Sequence, residues 1–207
     1  MFKDRYDAAN QLLTQLKKYK DRDDVVILGI PRGALEIGYV LAKELHAPLD
    51  VTFSKKISAP GQSELAIGAV SLHAENINPL YQNAYPDHIK QEKQKVRELL
   101  EKRYKQYRQD KQPIDLKDKI VIVTDDGIAT GQTMLLALDE VKKQNPKKIV
   151  VAVPVAPQDI LDQLEKKADE VICLLTPTTF WGISQFYNNF AQVEDEEAIR
   201  LLQEANA

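Results

Sequence analysis

The chain reads as an α/β protein built on a mostly parallel sheet, and three observations carry that reading. Short runs rich in Val and Ile at 25–30, 119–124, 148–153 and 170–175 have strand length and little alternation, as strands buried on both faces do. Segments with apolar residues at helical spacing separate these runs. Strands alternating with helices imply parallel pairing through crossover helices. Two of the runs end in short breaks, PRG at 31–33 and DDGIATG at 125–131. Parallel sheets hold ligands beyond the carboxyl ends of their strands.

Tyr6, Ala9, Leu12, Leu13 and Leu16 predict a first amphipathic helix. VVILGI at 25–30 is the first strand, broken by Pro31-Arg32-Gly33, and a helix runs from Ala34 to about Leu45. PLDVTF at 48–53 reads as the next strand. Residues 55–68, KKISAPGQSELAIG, carry Pro60, Gly61 and Gly68 and read as a long loop, with a short strand at AVSL after it. Residues 76–86, rich in Asn, Pro and Tyr, read as irregular. Residues 88–110 form the clearest helix, with Val96, Leu99, Leu100, Tyr104 and Tyr107 as its apolar stripe. Glu98–Lys102 and Glu101–Lys105 are i,i+4 pairs in the favourable order. Helices at 132–144 and 158–167 complete the alternation.

At 207 residues the chain is expected to be one domain, 1–207, with a substantial core. A hydrophobic share of 43% and a charged share of 29% are those of an ordinary globular protein. A net charge of −3 argues against a protein built to coat nucleic acid. The long helix is basic from Lys90 to Lys111, with Glu92, Glu98, Glu101 and Asp110 as its acids. A solvated face is the ordinary explanation, and a nucleic-acid or subunit contact is the other. Cys173 is the only cysteine, so no intrachain disulfide forms. Within VICLL it reads as a small core residue and not a catalytic thiol. The amino terminus lacks the apolar stretch of a secretory signal, and the longest apolar run, 149–157, is too short to span a bilayer. A cytoplasmic location with no membrane partner is expected. His46, His73 and His88 show no metal-ligand spacing.

IVIVTDDGIATGQTM at 120–134 is the most informative stretch. A buried strand ends in Asp125 and Asp126, and a small-residue loop then opens a helix. Backbone N–H groups at a helix N-terminus favour an anion, and small residues let the backbone approach it. Carboxylates at a strand end can accept hydrogen bonds from ribose hydroxyls. The plain alternative is a strand–helix loop whose acids only stabilise the helix N-terminus, worth ~0.3–1 kcal/mol.

The residues from Asp125 to Thr133 closely resemble the binding signature of type I phosphoribosyltransferases for 5-phosphoribosyl-1-pyrophosphate (PRPP). The likeness extends from about Phe2 to Leu202 to a bacterial phosphoribosyltransferase family of unsettled acceptor, through IPRGALEIG, KKISAPGQSELAIGAV, VTDDGIATGQTM, VVAVPVAP and FWGISQFYNNF. It implies the type I phosphoribosyltransferase fold: a mostly parallel sheet flanked by helices, a long inserted helix, and a small hood at about 176–207.

The resemblance also implies site residues. The loop Gly127, Ala129, Thr130, Gly131, Gln132 and Thr133 would take the 5′-phosphate. Asp125 and Asp126 would bind the ribose hydroxyls, with Mg²⁺ as cofactor held by the same pair. Arg32, Gly33 and Ala34 match the pyrophosphate loop, which in relatives holds a cis peptide and often a second Gly where this chain has Ala34. Lys55 and Lys56 resemble the basic pair leading into a lid at 57–66 that includes Glu64. Asp125, Asp126 and Arg32 are the expected catalytic residues. Phe180 and Trp181, with Phe186 and Tyr187, are candidates for an acceptor hood, or else core anchors.

Ala129 stands where 6-oxopurine enzymes carry Asp, which counts against hypoxanthine or guanine as acceptor. The Ala-Thr-Gly run and KKISAPG are loosely like adenine-type enzymes. The leading reading is a PRPP- and Mg²⁺-dependent transferase with a small nitrogenous acceptor, no nucleic-acid partner, and a homodimer as a candidate assembly. A PRPP- or nucleotide-sensing protein without turnover, and a phosphoribosyl hydrolase, are the alternatives.

Overall fold

The structure, a computed structural model, describes residues 1–109 and 111–207 and leaves out the side chain of Glu64. Asp110, counted above with the basic helix, and the Glu64 side chain, placed above in the lid, lie outside the described residues. Asp4 caps helix α1 (Arg5–Leu16) by accepting from the Asp7 N–H at 2.8 Å, as a short acid does at an N-cap. The chain then forms β1 (Val25–Gly29), α2 (Ala34–Leu45), β2 (Leu49–Val51), β3 (Lys55–Ala59), β4 (Gln62–Val70) and β5 (Glu75–Ile77). After these come α3 (Pro79–Ala84), α4 (Pro86–Arg108), β6 (Ile120–Thr124), α5 (Gln132–Lys142), β7 (Lys148–Val155), α6 (Gln158–Leu164), β8 (Glu170–Leu175) and α7 (Asp195–Ala205).

Five strands form one parallel sheet in the order β2-β1-β6-β7-β8. Successive residues of a strand face opposite ways, and both faces here are covered. Val25, Ile27, Ile120 and Ile122 pack with α1, α2, α4 and α7. Val26, Leu28, Val121 and Val123 pack with α5 and α6. Two covered faces explain why β1 and β6 are apolar throughout except at Thr124, whose hydroxyl donates to the Ala152 carbonyl. The amino-terminal segment packs against the stretch after β8, the stretch expected above to form the hood. Phe2 bridges Tyr187 in parallel, and its N–H donates to the Phe186 carbonyl at 2.8 Å.

Residues 55–68 are not a loop. They form the β3–β4 hairpin of a second, antiparallel sheet ordered β3-β4-β5. Pro60-Gly61, with Gly61 at φ +71°, makes only its turn. Of AVSL, Ala69 and Val70 end β4 and the other two residues lie beyond it. The segment 76–86 contains the end of β5 and the short helix α3, whose N-cap Asn78 accepts from the Leu80 N–H. On α4, Leu99 is exposed and Ile89 takes its place in the buried stripe. Neither Glu98–Lys102 nor Glu101–Lys105 is an ion pair among the described residues; Lys95–Glu92 is. Cys173 is only partly buried, with its Sγ directed to the Leu175 carbonyl, and burial pushes its thiol pKa up. No helix among the described residues is long and apolar enough to cross a membrane.

Two charged contacts hold this frame. Arg108, at the end of α4, makes a fork of bonds of 2.9 Å and 2.9 Å to buried Asp50 of β2. Removing one partner of a buried pair strands the other charge. Arg108→Ala is therefore expected to cost about 3–5 kcal/mol of unfolding free energy, read by urea titration.

At the amino ends of β7 and β8, Glu170 collects Lys148 (2.6 Å), Lys18 (2.7 Å) and the Tyr19 hydroxyl (2.7 Å). Burial disfavours its charged form, but these hydrogen bonds outweigh burial and hold its pKa at about 2 against an ordinary 4.5. A carboxyl with a depressed folded pKa contributes stability above the unfolded value and loses it as pH falls through the folded one. The wild type should thus lose stability between pH 4.5 and about 2, and Glu170→Gln should flatten that fall in unfolding titrations at successive pH.

Candidate functional site

The site grows from the pairing of β1 with β6. The two strands run in register, Gly29 opposite Thr124, and the Ile30 N–H donates to the Thr124 carbonyl at 3.1 Å. The loops that leave them therefore start one strand spacing apart, about 4.8 Å. From β1 the chain moves to β2 on one flank, while β6, β7 and β8 extend on the other. A sheet opens a crevice at such a reversal.

Asp125 and Asp126 follow β6 directly. The Asp126 N–H donates to Asp125 Oδ1 at 2.8 Å, and the Tyr187 hydroxyl donates to the Asp126 carbonyl at 2.7 Å. Burial, and next the charge of Asp126, push the Asp125 pKa well above the usual carboxylate range. Burial also raises Asp126, against the opposing pull of Arg5. Arg5 Nε donates to Asp126 Oδ2 at 2.7 Å. Burial, and then the charge of Asp126, push the Tyr187 phenol up, so it stays a donor.

The phosphate-type loop follows. Gly131, at φ +73°, is the N-cap of α5, and no side chain caps that helix. Its first N–H groups are thus available to an anion. Ala129, Thr130, Gln132 and Thr133 are exposed there, whereas Gly127 and Gly131 are buried. A cavity of about 190 Å³ is lined by Asp125, Gly127, Thr130, Gly131 and Thr133, with Ile183 of the hood opposite.

The second loop carries a cis peptide between Pro31 and Arg32. Gly33 is the N-cap of α2, also without a side-chain cap. A Cβ on Gly33 would overlap Asp126 Oδ2 and crowd Arg5 Nε, so the two loops touch only because this residue lacks a side chain. Ala34 is fully buried in the first turn of α2. Arg32 Nη1 meets Glu194 at the N-cap of α7, at 3.0 Å.

The structure separates the two lysines of β3. Lys56 shares a cavity of about 480 Å³ with Gln132, Asn76 and Asn78, which brings it beside the phosphate loop. Both lysines border a groove of about 630 Å³ between the hairpin and α4, and Lys55 borders that groove alone. In the hood, Phe180 packs on Phe186 with ring centroids 5.5 Å apart, and Trp181 is 88% exposed. The hood residue that reaches the phosphate loop is Ile183. Sequence reasoning missed Ile183, Arg5 and Glu36. Arg5 carries one faint signal: it stands beside the apolar stripe of α1, and it is only 5% exposed.

An acid pair, an uncapped helix and a second backbone loop on neighbouring parallel strands make the architecture of a type I phosphoribosyltransferase. The chain belongs to the phosphoribosyl transferase domain family, whose profile matches residues 2–191. It is 36% identical over its whole length to two Mycobacterium tuberculosis proteins, named "Putative phosphoribosyl transferase" MT0597 and Rv0571c. It spans about half the length, 47%, of each. The solved structure of TT1426 from Thermus thermophilus is 34% identical and superposes with a TM-score of 0.83 over 98% of both chains.

Asp125 and Asp126 suit a hard divalent cation. Asp125 is a half-buried carboxylate that forms no ion pair among the described residues. Mg²⁺ is commonly held by one or two carboxylates together with substrate phosphates. No group of three or more candidate metal ligands occurs among the described residues.

Gly131→Ala should test how tightly the 127–133 loop is packed. Its Cβ would meet Ile160 Cγ2 at 2.7 Å at a positive φ, so a loss of more than about 1 kcal/mol in urea unfolding is expected.

Proposed function

We propose that this chain transfers the 5-phosphoribosyl group of PRPP to a nitrogenous acceptor and releases pyrophosphate. The observation that carries the reading is the half-buried acid pair beside an uncapped helix N-terminus, on a strand in register with the one that leads into the Arg32 loop. In this reading the α5 N–H groups with Thr130 and Thr133 bind the 5′-phosphate. Asp125 and Asp126 accept from the ribose hydroxyls and fix the ring. N–H groups of the Arg32–Ala34 loop hold the pyrophosphate. Lys56, from the hairpin lid, offsets charge as the C1–O bond breaks, and Lys55 has the same role at longer reach. Mg²⁺, held by Asp125 and Asp126 with the substrate, would supply further charge neutralisation on the leaving group. The acceptor nitrogen forms the new bond to C1 from the opposite face. Positioning and electrostatics carry the step, and no covalent nucleophile is needed.

Phe180 and Trp181 remain the proposed acceptor hood, with Trp181 offering a free ring face on which a planar acceptor stacks. A nucleobase-like acceptor suits that surface, and the Ala129 side chain brings no carboxylate to it.

Calorimetric titration with PRPP and Mg²⁺ tests the donor site. Binding that disappears in folded Asp126→Ala is expected, and undiminished affinity in that variant would sink the assignment. Pyrophosphate release with a panel of nitrogenous bases then separates transfer from sensing without turnover. Pyrophosphate release without any base would indicate a hydrolase.

A further inference from the structure

Arg5 lies in the first turn of α1, far in sequence from either loop, yet its guanidinium sits between them. Nε donates to Asp126 Oδ2 at 2.7 Å, and Nη1 donates to Glu36 Oε2 at 3.1 Å and to the Ala191 carbonyl at 2.9 Å. The face of the group lies 3.9 Å from the centroid of the Phe190 ring. A Cβ placed on Gly33 would come within 3.0 Å of Nη2. The side chain is 6% exposed, so it has almost no room to offer a substrate. These contacts join separate parts of the fold. Asp126 belongs to the acid loop, Glu36 to the helix behind the Arg32 loop, and Ala191 and Phe190 to the tail of the hood.

We infer that Arg5 is a positioning residue for PRPP binding: it aims the Asp126 carboxylate at the ribose and ties that aim to the hood. The inference rests on the donor reading given above. A planar guanidinium offers donors in fixed directions, so each anchor constrains the other bonds. With Glu36 and Ala191 holding one nitrogen, Nε can meet Asp126 from only one side. A carboxylate fixed at one oxygen leaves the other, and its remaining lone pairs, for ribose hydroxyls. Glu36 and Asp126 both accept from one cation, which keeps two like charges near Gly33 without separating the loops. A hood shifted at 190–191 would take Arg5 with it, and the orientation of Asp126 would change in turn.

A lysine at position 5 keeps the charge but brings a single ammonium that cannot reach Asp126, Glu36 and the Ala191 carbonyl together. The test is calorimetric titration of PRPP with Mg²⁺ into wild type, Arg5→Lys, Asp126→Asn and the double variant, each checked for folding by circular dichroism. Arg5→Lys is expected to weaken PRPP by about tenfold or more, and by less than about threefold when Asp126 is already Asn, because contacting residues couple. Wild-type affinity in Arg5→Lys would overturn the inference. An equal loss in both backgrounds would overturn it too, since Arg5 would then act elsewhere or only on the fold. If Arg5→Lys does not fold, Glu36→Ala serves, because it releases one anchor and leaves Arg5 and Asp126 in place. A loss of about threefold or more in PRPP affinity supports the inference, and unchanged affinity overturns it. Failure of the wild type itself to bind PRPP would remove the donor reading, which is a different result from a wild type that binds and an Arg5→Lys that binds as well.

Discussion

Two carboxylates at the end of a buried strand repel one another, and little water is at hand to screen them. The placement of Asp125 and Asp126 is tolerable because a cation from another part of the chain shares the charge. Arg5 does this from 121 residues away in sequence. Much of the architecture around the site follows from bringing that group in. α1 must lie against α2, so that Arg5 and Glu36 meet. The amino-terminal residues must run beside the hood, where Phe2 pairs with Tyr187. Gly33 must lack a side chain, because the guanidinium and Asp126 occupy the space. The acid pair is thus held by parts of the fold that apolar packing also brings together.

The sheet supplies the other half of the geometry. Parallel strands in register start their loops at one level, so an acid loop and a backbone loop face a common crevice without special connections. The helices that follow, α2 and α5, both begin at that crevice without side-chain caps. The α5 N-terminus is open and favours negative charge, whereas the Leu35 and Glu36 N–H groups of α2 already donate to the Arg32 and Gly33 carbonyls. The hairpin sheet brings Lys56 over the same edge from outside the main sheet.

What could be read from the sequence were features set by neighbours in the chain. Strand runs buried on both faces, the acid pair and the loop of Thr130 and Thr133 each sit within a few residues of one another, and pattern and composition report them directly. The hairpin at 55–70 went unread because Pro60 and Gly61 punctuate it strongly, and a two-residue turn gives the same signal as a long loop. Leu99 read as core because helical spacing alone does not say where a stripe ends. Glu36 and Ile183 left no local pattern, and Arg5 only its place beside the α1 stripe, since their roles exist only once α1, α2 and the hood have packed. A buried arginine looks in sequence like any charged residue near a helix start.

Arg5 and the Ala191 carbonyl are 186 residues apart, nearly the full length described. Contacts of such separation close the largest loops and carry the heaviest entropic cost before they give anything back. The parallel core can gather from shorter closures, whereas the pocket between Asp126, Gly33 and the hood needs both of these distant segments docked at once. Ribosomal synthesis delivers the later segment only after every strand of the sheet. A growing chain therefore has all its strands synthesised before the segment that completes the pocket, and until the 187–191 stretch emerges Arg5 lacks its Ala191 anchor.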